Sequence, residues 1–149
     1  MKIAVGADHA GFDFKEEVIG ILKSLGHEVS DVGTFSKDSV DYPDYAKLVA
    51  KEVEDQKVDR GILICGTGIG MSIAANKFKH IRAALVTDAF TAKMSRSHND
   101  ANILCLGSRV INPEQLANII ATWLSEPFEG GRHKRRVEKM MALENRNDD

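Results

Sequence analysis

Gly61-Ile-Leu-Ile-Cys65 is followed directly by Gly66-Thr-Gly-Ile-Gly70, and this pair of segments says more about the chain than any other. The first segment is apolar throughout, which is typical of a strand covered on both faces of a parallel sheet. The alternating glycines of the second segment let the backbone turn sharply. Apolar residues at helical spacing follow over 71–78. The stretch therefore predicts a buried strand, a tight loop and a helix in direct succession.

The same alternation of strand and helix extends over the rest of the chain in both directions. It predicts a parallel sheet with helices on both faces, that is, a doubly wound, three-layer α/β/α fold of the Rossmann-like kind. We expect a single domain over 1–149, with five parallel strands at 3–5, 28–32, 61–65, 82–86 and 103–106. Helices are expected at 12–25, 42–54, 71–78, 88–98, 113–124 and about 132–145.

The composition excludes several classes of function. The net charge of −2 and the pI of about 6.2 argue against general nucleic-acid binding, which requires a basic surface. No apolar run is long enough to span a bilayer, so we expect a cytoplasmic protein that does not bind membranes. Cys65 and Cys105 form no CxxC pair, and no residues have the spacing of a metal site. We therefore expect free thiols, no metal and no cofactor.

Parallel sheets of this kind bind ligands beyond the carboxyl ends of their strands, which makes the glycine loop the strongest candidate site. Backbone N–H groups at the start of a helix can bind a phosphate or the oxyanion of an enolate. They also favour the thiolate form of Cys65, which would suit a base that removes a carbon-bound proton. Thr67 can orient or protonate a substrate oxygen. The alternatives are a tight turn without a ligand, an inert core cysteine and a hydroxyl group that caps the helix.

Two acidic residues near strand ends leave other functions open. Asp8 and His9 directly follow the first strand, where they can bind sugar hydroxyls and phosphate; Asp8 can equally cap the first helix. Asp88 has the position of an acid that binds a nucleotide ribose, which favours a dinucleotide-binding protein. The glycine pattern of dinucleotide-binding proteins, G-x-G-x-x-G, has its third glycine where this chain has Met71, which argues against a dinucleotide-binding protein. A flavodoxin-like or receiver-like signalling domain, with Asp8 in an acidic pocket, is a further alternative.

His98 and Asn99 lie at the end of the predicted helix that runs from Asp88 back toward the amino edge of the sheet. His98 should therefore lie far from Cys65 in its own chain. A catalytic His98 would then act in the active site of a second chain, across a dimer interface. Otherwise it caps its own helix, since His and Asn are both common at that position.

The predicted last helix carries a basic face. Arg132 and Arg136 are spaced i, i+4 and share this face, where two guanidinium groups can bind a phosphate. Arg109, just after the last strand, is a third candidate, and a solvated basic face is the alternative. The apolar residues of the same helix can pack on a partner subunit.

Together, these segments resemble the type B family of ribose-5-phosphate isomerases, relatives of which act on galactose 6-phosphate and allose 6-phosphate. The resemblance runs from the first strand to the last helix, and the order and spacing of the segments are very specific. The matching segments are Gly6-Ala-Asp-His-Ala-Gly11, Asp41-Tyr-Pro-Asp-Tyr45, Gly61-Ile-Leu-Ile-Cys-Gly-Thr-Gly-Ile-Gly-Met-Ser-Ile-Ala-Ala-Asn-Lys77, Ser97-His-Asn-Asp100, Gly107-Ser-Arg109 and Gly131-Arg-His-Lys-Arg-Arg136.

The resemblance implies an aldose–ketose isomerase that interconverts ribose 5-phosphate and ribulose 5-phosphate through an enediolate. An isomerase of galactose or allose 6-phosphate is the alternative. Cys65 would move the proton between C1 and C2; some members have a glutamate base where Met71 stands here, so this chain is similar to the cysteine branch. The resemblance also implies a homodimer or homotetramer in which each active site is shared between two chains.

The resemblance further assigns roles to the other candidate residues. Thr67 and the amides of Gly66, Gly68, Ile69 and Gly70 would stabilise the negative charge of the enediolate. Asp8 and His98 would serve ring opening and hydroxyl binding. The remaining contacts would be those of His9, Arg109, Arg132 and Arg136 with the phosphate, and those of Tyr42 and Asn99 with the sugar.

Overall fold

A single parallel sheet forms the centre of the molecule. The computed structural model describes residues 1–146, so the end of the predicted domain lies outside the described residues. The strands are β1 (Lys2–Ala7), β2 (Glu28–Asp31), β3 (Arg60–Cys65), β4 (Ala83–Leu85) and β5 (Ile103–Gly107). They lie in the order β2-β1-β3-β5-β4, and every pairing is parallel. The predicted five-stranded parallel sheet is thereby confirmed.

Helices cover both faces of this sheet. They are α1 (Phe12–Ser24), α2 (Tyr42–Glu54), α3 (Ile69–Ala75), α4 (Ala89–Ser97), α5 (Leu116–Ser125) and α6 (Arg132–Ala142). Apolar residues of α1, α4 and α5 pack on one face, where Trp123 is fully buried. Those of α2 and α3 pack on the other face, around Val49 and Met71. The three-layer α/β/α arrangement is thus confirmed, and each fully buried side chain of this kind stabilises it by about 1.5–3 kcal/mol.

The position of β5 could not be predicted from the order of the elements. It lies between β3 and β4, so β4 forms an edge of the sheet. Every residue of β5 is buried, whereas the residues of β4 are half-buried or exposed. A strand that is apolar on both faces loses more water-exposed apolar surface in the interior of a sheet than at its edge, which explains the order.

The helices differ from the predicted ranges at their ends. The helix after the glycine loop begins at Ile69 rather than at 71, because Gly68 is its N-cap. It ends at Ala75, three residues before the predicted end. The predicted helix at 113–124 begins as a 3₁₀ turn over Pro113–Gln115, and the last helix ends as a 3₁₀ turn over Leu143–Asn145. Within residues 1–146, no helix is long and apolar enough to cross a membrane.

Candidate active site

The carboxyl ends of β1 and β3 form the crevice in which ligands of such sheets bind. In the sheet, β2 lies on one side of β1 and β3 lies on the other side of β1, so the direction in which the chain adds strands reverses between β1 and β3. Asp8 follows β1, and its backbone N–H donates to the carbonyl of Ile64 at 3.2 Å. Cys65 is the last residue of β3. The structure therefore brings these two candidates to neighbouring positions on one edge.

The thiol of Cys65 contacts the amides of the glycine loop. Cys65 is 5% exposed, and its Sγ accepts a hydrogen bond from the N–H of Gly68 at 3.1 Å. Gly68 has a φ of +81°, a left-handed conformation that strains any residue with a side chain. The glycine thus lets the first turn of α3 direct an amide at the sulfur, where it stabilises negative charge.

The second cysteine, Cys105, has different surroundings from those of Cys65. It lies inside β5 with no solvent exposure. Burial raises the pKa of the Cys105 thiol well above its ordinary value, and the nearby Cys65 acts in the same direction. A buried protonated thiol is inert, so Cys105 has the structural role that the sequence predicted.

The segment after β5 is held against the glycine loop by its backbone. The N–H of Ser108 donates to the carbonyl of Cys65 at 2.9 Å, and that of Arg109 donates to the carbonyl of Gly66 at 3.0 Å. A Cβ built on Gly66 would lie 3.2 Å from Nη1 of Arg109. The Arg109 guanidinium group therefore lies over the loop, where it can contact an anion.

Tyr42 and Thr67 line the same edge. A Cβ built on Gly70 would lie 2.7 Å from the ring of Tyr42, so the ring covers the end of the loop. Thr67 is exposed, and its Oγ1 accepts a hydrogen bond from the N–H of Ile69 at 3.2 Å. Because Gly68 is the N-cap of α3, this bond from Thr67 to the first helical N–H is a local turn and not the capping bond that was the alternative for Thr67.

Asp8 and His9 are tied to neighbouring backbone. Asp8 is 7% exposed, and its Oδ1 accepts from the N–H of Gly11 at 3.1 Å, which caps a 3₁₀ turn over His9–Gly11. Nδ1 of His9 accepts from the N–H of Val40 at 3.1 Å. Both side chains thus have structural partners as well as a place in the crevice.

The other predicted residues lie at the opposite, amino edge of the sheet. His98 is the C-cap of α4, with Asn99 next to it, and β5 begins a few residues later. Cys65 pairs with Gly107 at the far end of β5. A strand of five residues places the two edges roughly 13 Å apart. Within one chain, therefore, the structure does not bring His98 and Asn99 to Cys65.

Helix α6 adds its arginines to the amino-edge group. A cavity of about 270 Å³ is lined by His98, Asn99 and Arg136, together with His133, Val137 and Met140. Arg132 is exposed in the first turn of α6, one helical turn before Arg136. The basic face therefore lies beside His98 and not beside Arg109, so the predicted site residues form two separate groups in the chain.

Sequence reasoning gave no role to Glu129 or to His133, although His133 lies in the matching segment Gly131–Arg136. The ring of His133 stacks on that of His98, with centroids 4.1 Å apart and planes inclined by 9°. Burial and the positive charges of His98, Arg132 and Arg136 lower the pKa of His133 despite the opposing effect of Glu129. The sequence signal that could have joined the two residues is the i, i+4 spacing of Glu129 and His133.

Three potential metal ligands meet here, although their spacing along the chain has no metal-binding pattern. The Oε2 of Glu129 lies 3.3 Å from Nε2 of His133 and 4.0 Å from Nε2 of His98. One ligand atom from each residue lies within 4.8 Å of the others. Because the two imidazole rings are stacked in parallel, their in-plane lone pairs cannot converge on one cation, so we assign no metal site to this group.

Asp88 has a structural role that weakens the dinucleotide alternative. Its carboxylate accepts the N–H of Thr91 at 2.7 Å and caps α4 in a capping box. The hydrogen bonds from the backbone and side chain of Thr91 lower the pKa of Asp88. Because β5 separates β4 from β3, Asp88 lies two strands away from the glycine loop. A ribose-binding acid should follow the strand adjacent to that loop.

The fold and the carboxyl-edge group define a class of protein. A thiol beside loop amides, at the reversal point of a parallel sheet, suits an enzyme that moves a proton next to a carbonyl group. Comparison with known proteins agrees with this class. The sequence profile of the Ribose/Galactose Isomerase family matches residues 3–140, and the chain belongs to that family.

Individual relatives cover nearly the full length. Ribose-5-phosphate isomerase B of Escherichia coli (strain K12) is 51% identical over 145 residues, 97% of each chain. The structure of Clostridium thermocellum ribose-5-phosphate isomerase B superposes with a TM-score of 0.96 at 52% identity, covering 97% of this chain and 98% of that one. Ribose-5-phosphate isomerase B from Mycoplasma genitalium, solved with bound ribulose 5-phosphate, has a TM-score of 0.92 at 41% identity, with coverages of 98% and 97%. The predicted class, an aldose–ketose isomerase, is confirmed.

Proposed function

We propose that this chain interconverts ribose 5-phosphate and ribulose 5-phosphate, with Cys65 as the base. The observation that carries the proposal is the 3.1 Å contact between Sγ of Cys65 and the N–H of Gly68, at the mouth of the glycine loop. The relatives named ribose-5-phosphate isomerase B, at 41–52% identity, support the choice of sugar.

The chemistry is a proton transfer between adjacent carbons. The Cys65 thiolate removes the proton from C2 of the open-chain aldose, and the electron pair moves toward the C1 carbonyl to form an enediolate. The thiol then returns the proton to C1, while a proton moves between the two oxygens, which yields the ketose. The amides of the loop and the hydroxyl of Thr67 stabilise the enediolate oxygen, and each such donor typically contributes about 3 kcal/mol.

The complete active site requires two chains. Asp8, Cys65 and Arg109 belong to the carboxyl-edge group, whereas His98 and Arg136 lie at the amino edge. In the proposed homodimer, the amino-edge group of one protomer meets the carboxyl-edge group of its partner. A homotetramer would contain two such pairs.

In this arrangement the substrate contacts are divided between the chains. We assign ring opening to Asp8 and to the partner's His98. The assigned phosphate contacts come from His9 and Arg109 of one chain and from the partner's Arg132 and the partner's Arg136, and the sugar contacts from Tyr42 and the partner's Asn99. Binding of the distant phosphate positions the reacting carbons, which is how remote contacts accelerate a reaction.

The function is tested by assaying the purified chain with ribose 5-phosphate, galactose 6-phosphate and allose 6-phosphate in the presence of a chelator. We expect the highest kcat/KM with ribose 5-phosphate and full activity despite the chelator. A higher kcat/KM with a hexose phosphate would identify the alternative substrate. Turnover of none of the sugars would contradict the proposal.

The assigned base is tested with a matched pair of variants. Cys65→Ala should lower kcat by at least about 100-fold, because a positioned base contributes that much or more, and should leave substrate binding intact. Cys105→Ala removes the same sulfur from the same core and should retain kcat. Equal activity of the two variants would remove Cys65 from the mechanism.

A further inference from the structure

The turn after α4 carries two of the residues that we assign to the partner's active site. His98 is the C-cap of α4, and Asn99 and Asp100 follow it. Asp100 has a φ of +49°, a left-handed conformation that Asp adopts more readily than most residues with side chains. Carbonyl groups at and beyond the C-terminus of a helix have no partner within it, so those of Asn99 and Asp100 need donors from elsewhere.

The guanidinium group of Arg82 supplies these donors. Arg82 directly precedes β4, and its Nε donates to the carbonyl of Asp100 at 3.0 Å and to that of Asn99 at 3.2 Å. Its Nη2 donates to the carbonyl of Asp100 as well, at 2.9 Å. These hydrogen bonds from one rigid, planar group fix the peptide plane on each side of Asp100.

A second arginine holds the carboxylate of the same turn. Arg96 is 7% exposed, and its Nη1 donates to Oδ1 of Asp100 at 2.9 Å and to the carbonyl of Ala101 at 2.6 Å. The other carboxylate oxygen, Oδ2, lies 3.6 Å from Nη2 of Arg82. The turn is thus held both at its carbonyl groups and at its carboxylate.

Arg82 also contacts the helix that carries the basic face. Its Nη1 donates to Sδ of Met141 in α6 at 3.5 Å. The N–H of His80, two residues before Arg82, donates to Oε1 of Glu144 at 2.9 Å. The side chain of Arg82 is only 18% exposed, because it lies between the turn 98–100 and the end of α6.

We propose that Arg82 is a positioning residue of the isomerase, which holds His98 and Asn99 in the orientation in which they enter the partner's active site. The inference rests on the proposed function, in which this site is shared between two chains. Arg82 acts through the turn and not through a contact with the substrate. Misplacement of a catalytic group by about 1 Å can lower a rate about 100-fold, so the effect of such a residue is large enough to measure.

The role is tested first by removing the guanidinium group. Arg82→Met keeps the apolar part of the side chain and should lower kcat/KM for ribose 5-phosphate at least about tenfold, because the turn loses its hydrogen bonds. Arg82→Lys keeps the positive charge but not the planar group, and it should lower kcat/KM by a smaller factor. If Arg82→Met does not fold, Arg82→Lys decides the test. Wild-type kcat/KM in either variant would overturn the proposal.

Arg60 provides a matched control at the same edge of the sheet. It is the first residue of β3, is half-buried like Arg82, and its Nη1 donates to the carbonyl of Trp123 near the end of α5 at 3.0 Å. Since α5 carries none of the assigned site residues, Arg60→Met should lower the thermal stability but retain kcat/KM. Equal losses of kcat/KM in Arg60→Met and Arg82→Met would show that Arg82 only caps a helix, and would overturn the proposal.

Mixing Arg82→Met with Cys65→Ala locates the effect. In a mixed dimer, the intact Cys65 of the first chain meets the intact turn of the second, so about a quarter of the wild-type activity should return. If Arg82→Met instead impaired the Cys65 of its own chain, a defect of tenfold or more would leave about a twentieth or less, which would overturn the proposal.

A second mixture, of Cys65→Ala with His98→Ala, separates this outcome from a failure of the proposed function. Recovery in both mixtures supports the role of Arg82. Recovery in the His98→Ala mixture alone would leave the shared site standing and refute the role of Arg82. Recovery in neither mixture, after exchange has been shown, would refute both.

Discussion

At the scale of single residues, position within a strand decides what a thiol can do. Cys65 and Cys105 lie on adjacent strands, and the partner of Cys65 in the register is Gly107, two residues beyond Cys105. That shift places one sulfur at the loop amides and the other in the apolar core. Two residues of strand thus separate a candidate base from an inert side chain.

The buried ion pair of Lys15 and Asp31 gives a prediction about stability at the same scale. Its side chain has no solvent exposure, and its Nζ donates to both carboxylate oxygens of Asp31 at 2.8 Å. Asp31 also accepts a hydrogen bond from the N–H of Gly33, at the start of the segment 33–40. The N–H of Val40, at the end of this segment, donates to His9, so the Lys15–Asp31 pair holds the segment that contacts His9.

We expect Lys15→Met to lower the free energy of unfolding by about 3 kcal/mol, because it leaves a partly buried carboxylate without its partner. Urea denaturation followed by circular dichroism measures this change. Lys23→Met, at an exposed position of the same helix, should have little effect. Equal losses in the two variants would show that the Lys15–Asp31 pair contributes nothing specific.

At the scale of elements, α6 connects the basic face to the rest of the site. The helix begins at Arg132, next to Glu129, whose N–H bonds to the last residue of α4. Its basic residues are consecutive in sequence and therefore point in different directions around the helix axis. Arg136 lines the cavity next to His98, and Arg135 is exposed on another side of the helix. This difference between neighbours makes the phosphate assignment testable.

Arg136→Ala should raise KM for ribose 5-phosphate about tenfold or more, because a charge-assisted hydrogen bond to the phosphate is lost. KM for unphosphorylated ribose should change little. Steady-state kinetics with both sugars measures the difference, and Arg135→Ala serves as the control. A similar rise for both sugars would show that Arg136 does not contact the phosphate.

At the scale of the whole molecule, the sheet separates the two groups of site residues. Cys65 and His98 lie at opposite edges, so one chain alone cannot bring both to one substrate. In the dimer that we propose, each interface is formed by the same surfaces of both copies and would contain two equivalent sites, each with Cys65 of one chain and the partner's His98.

Subunit mixing tests this arrangement. Cys65→Ala and His98→Ala should each be inactive alone. In a mixed dimer, one site carries both substitutions and the other carries neither. Random exchange makes half of the dimers mixed, so about a quarter of the wild-type activity should return. No return of activity, after mass spectrometry has shown exchange, would place both residues in the same site of one chain.

The sequence by itself determined the strand–loop–helix units, the parallel sheet and the residues at each strand end, because apolar periodicity and glycine spacing are local properties of the chain. It also placed Cys65 beside the loop amides and His98 at the far edge, since the direction of each helix follows from its strand. Only the tertiary structure decided that β5 lies between β3 and β4, which separates Asp88 from the glycine loop. It also decided that Glu129 and His133 contact His98. Those contacts join segments distant in the chain, and side-chain packing and burial, which no local pattern encodes, select among the possible pairings.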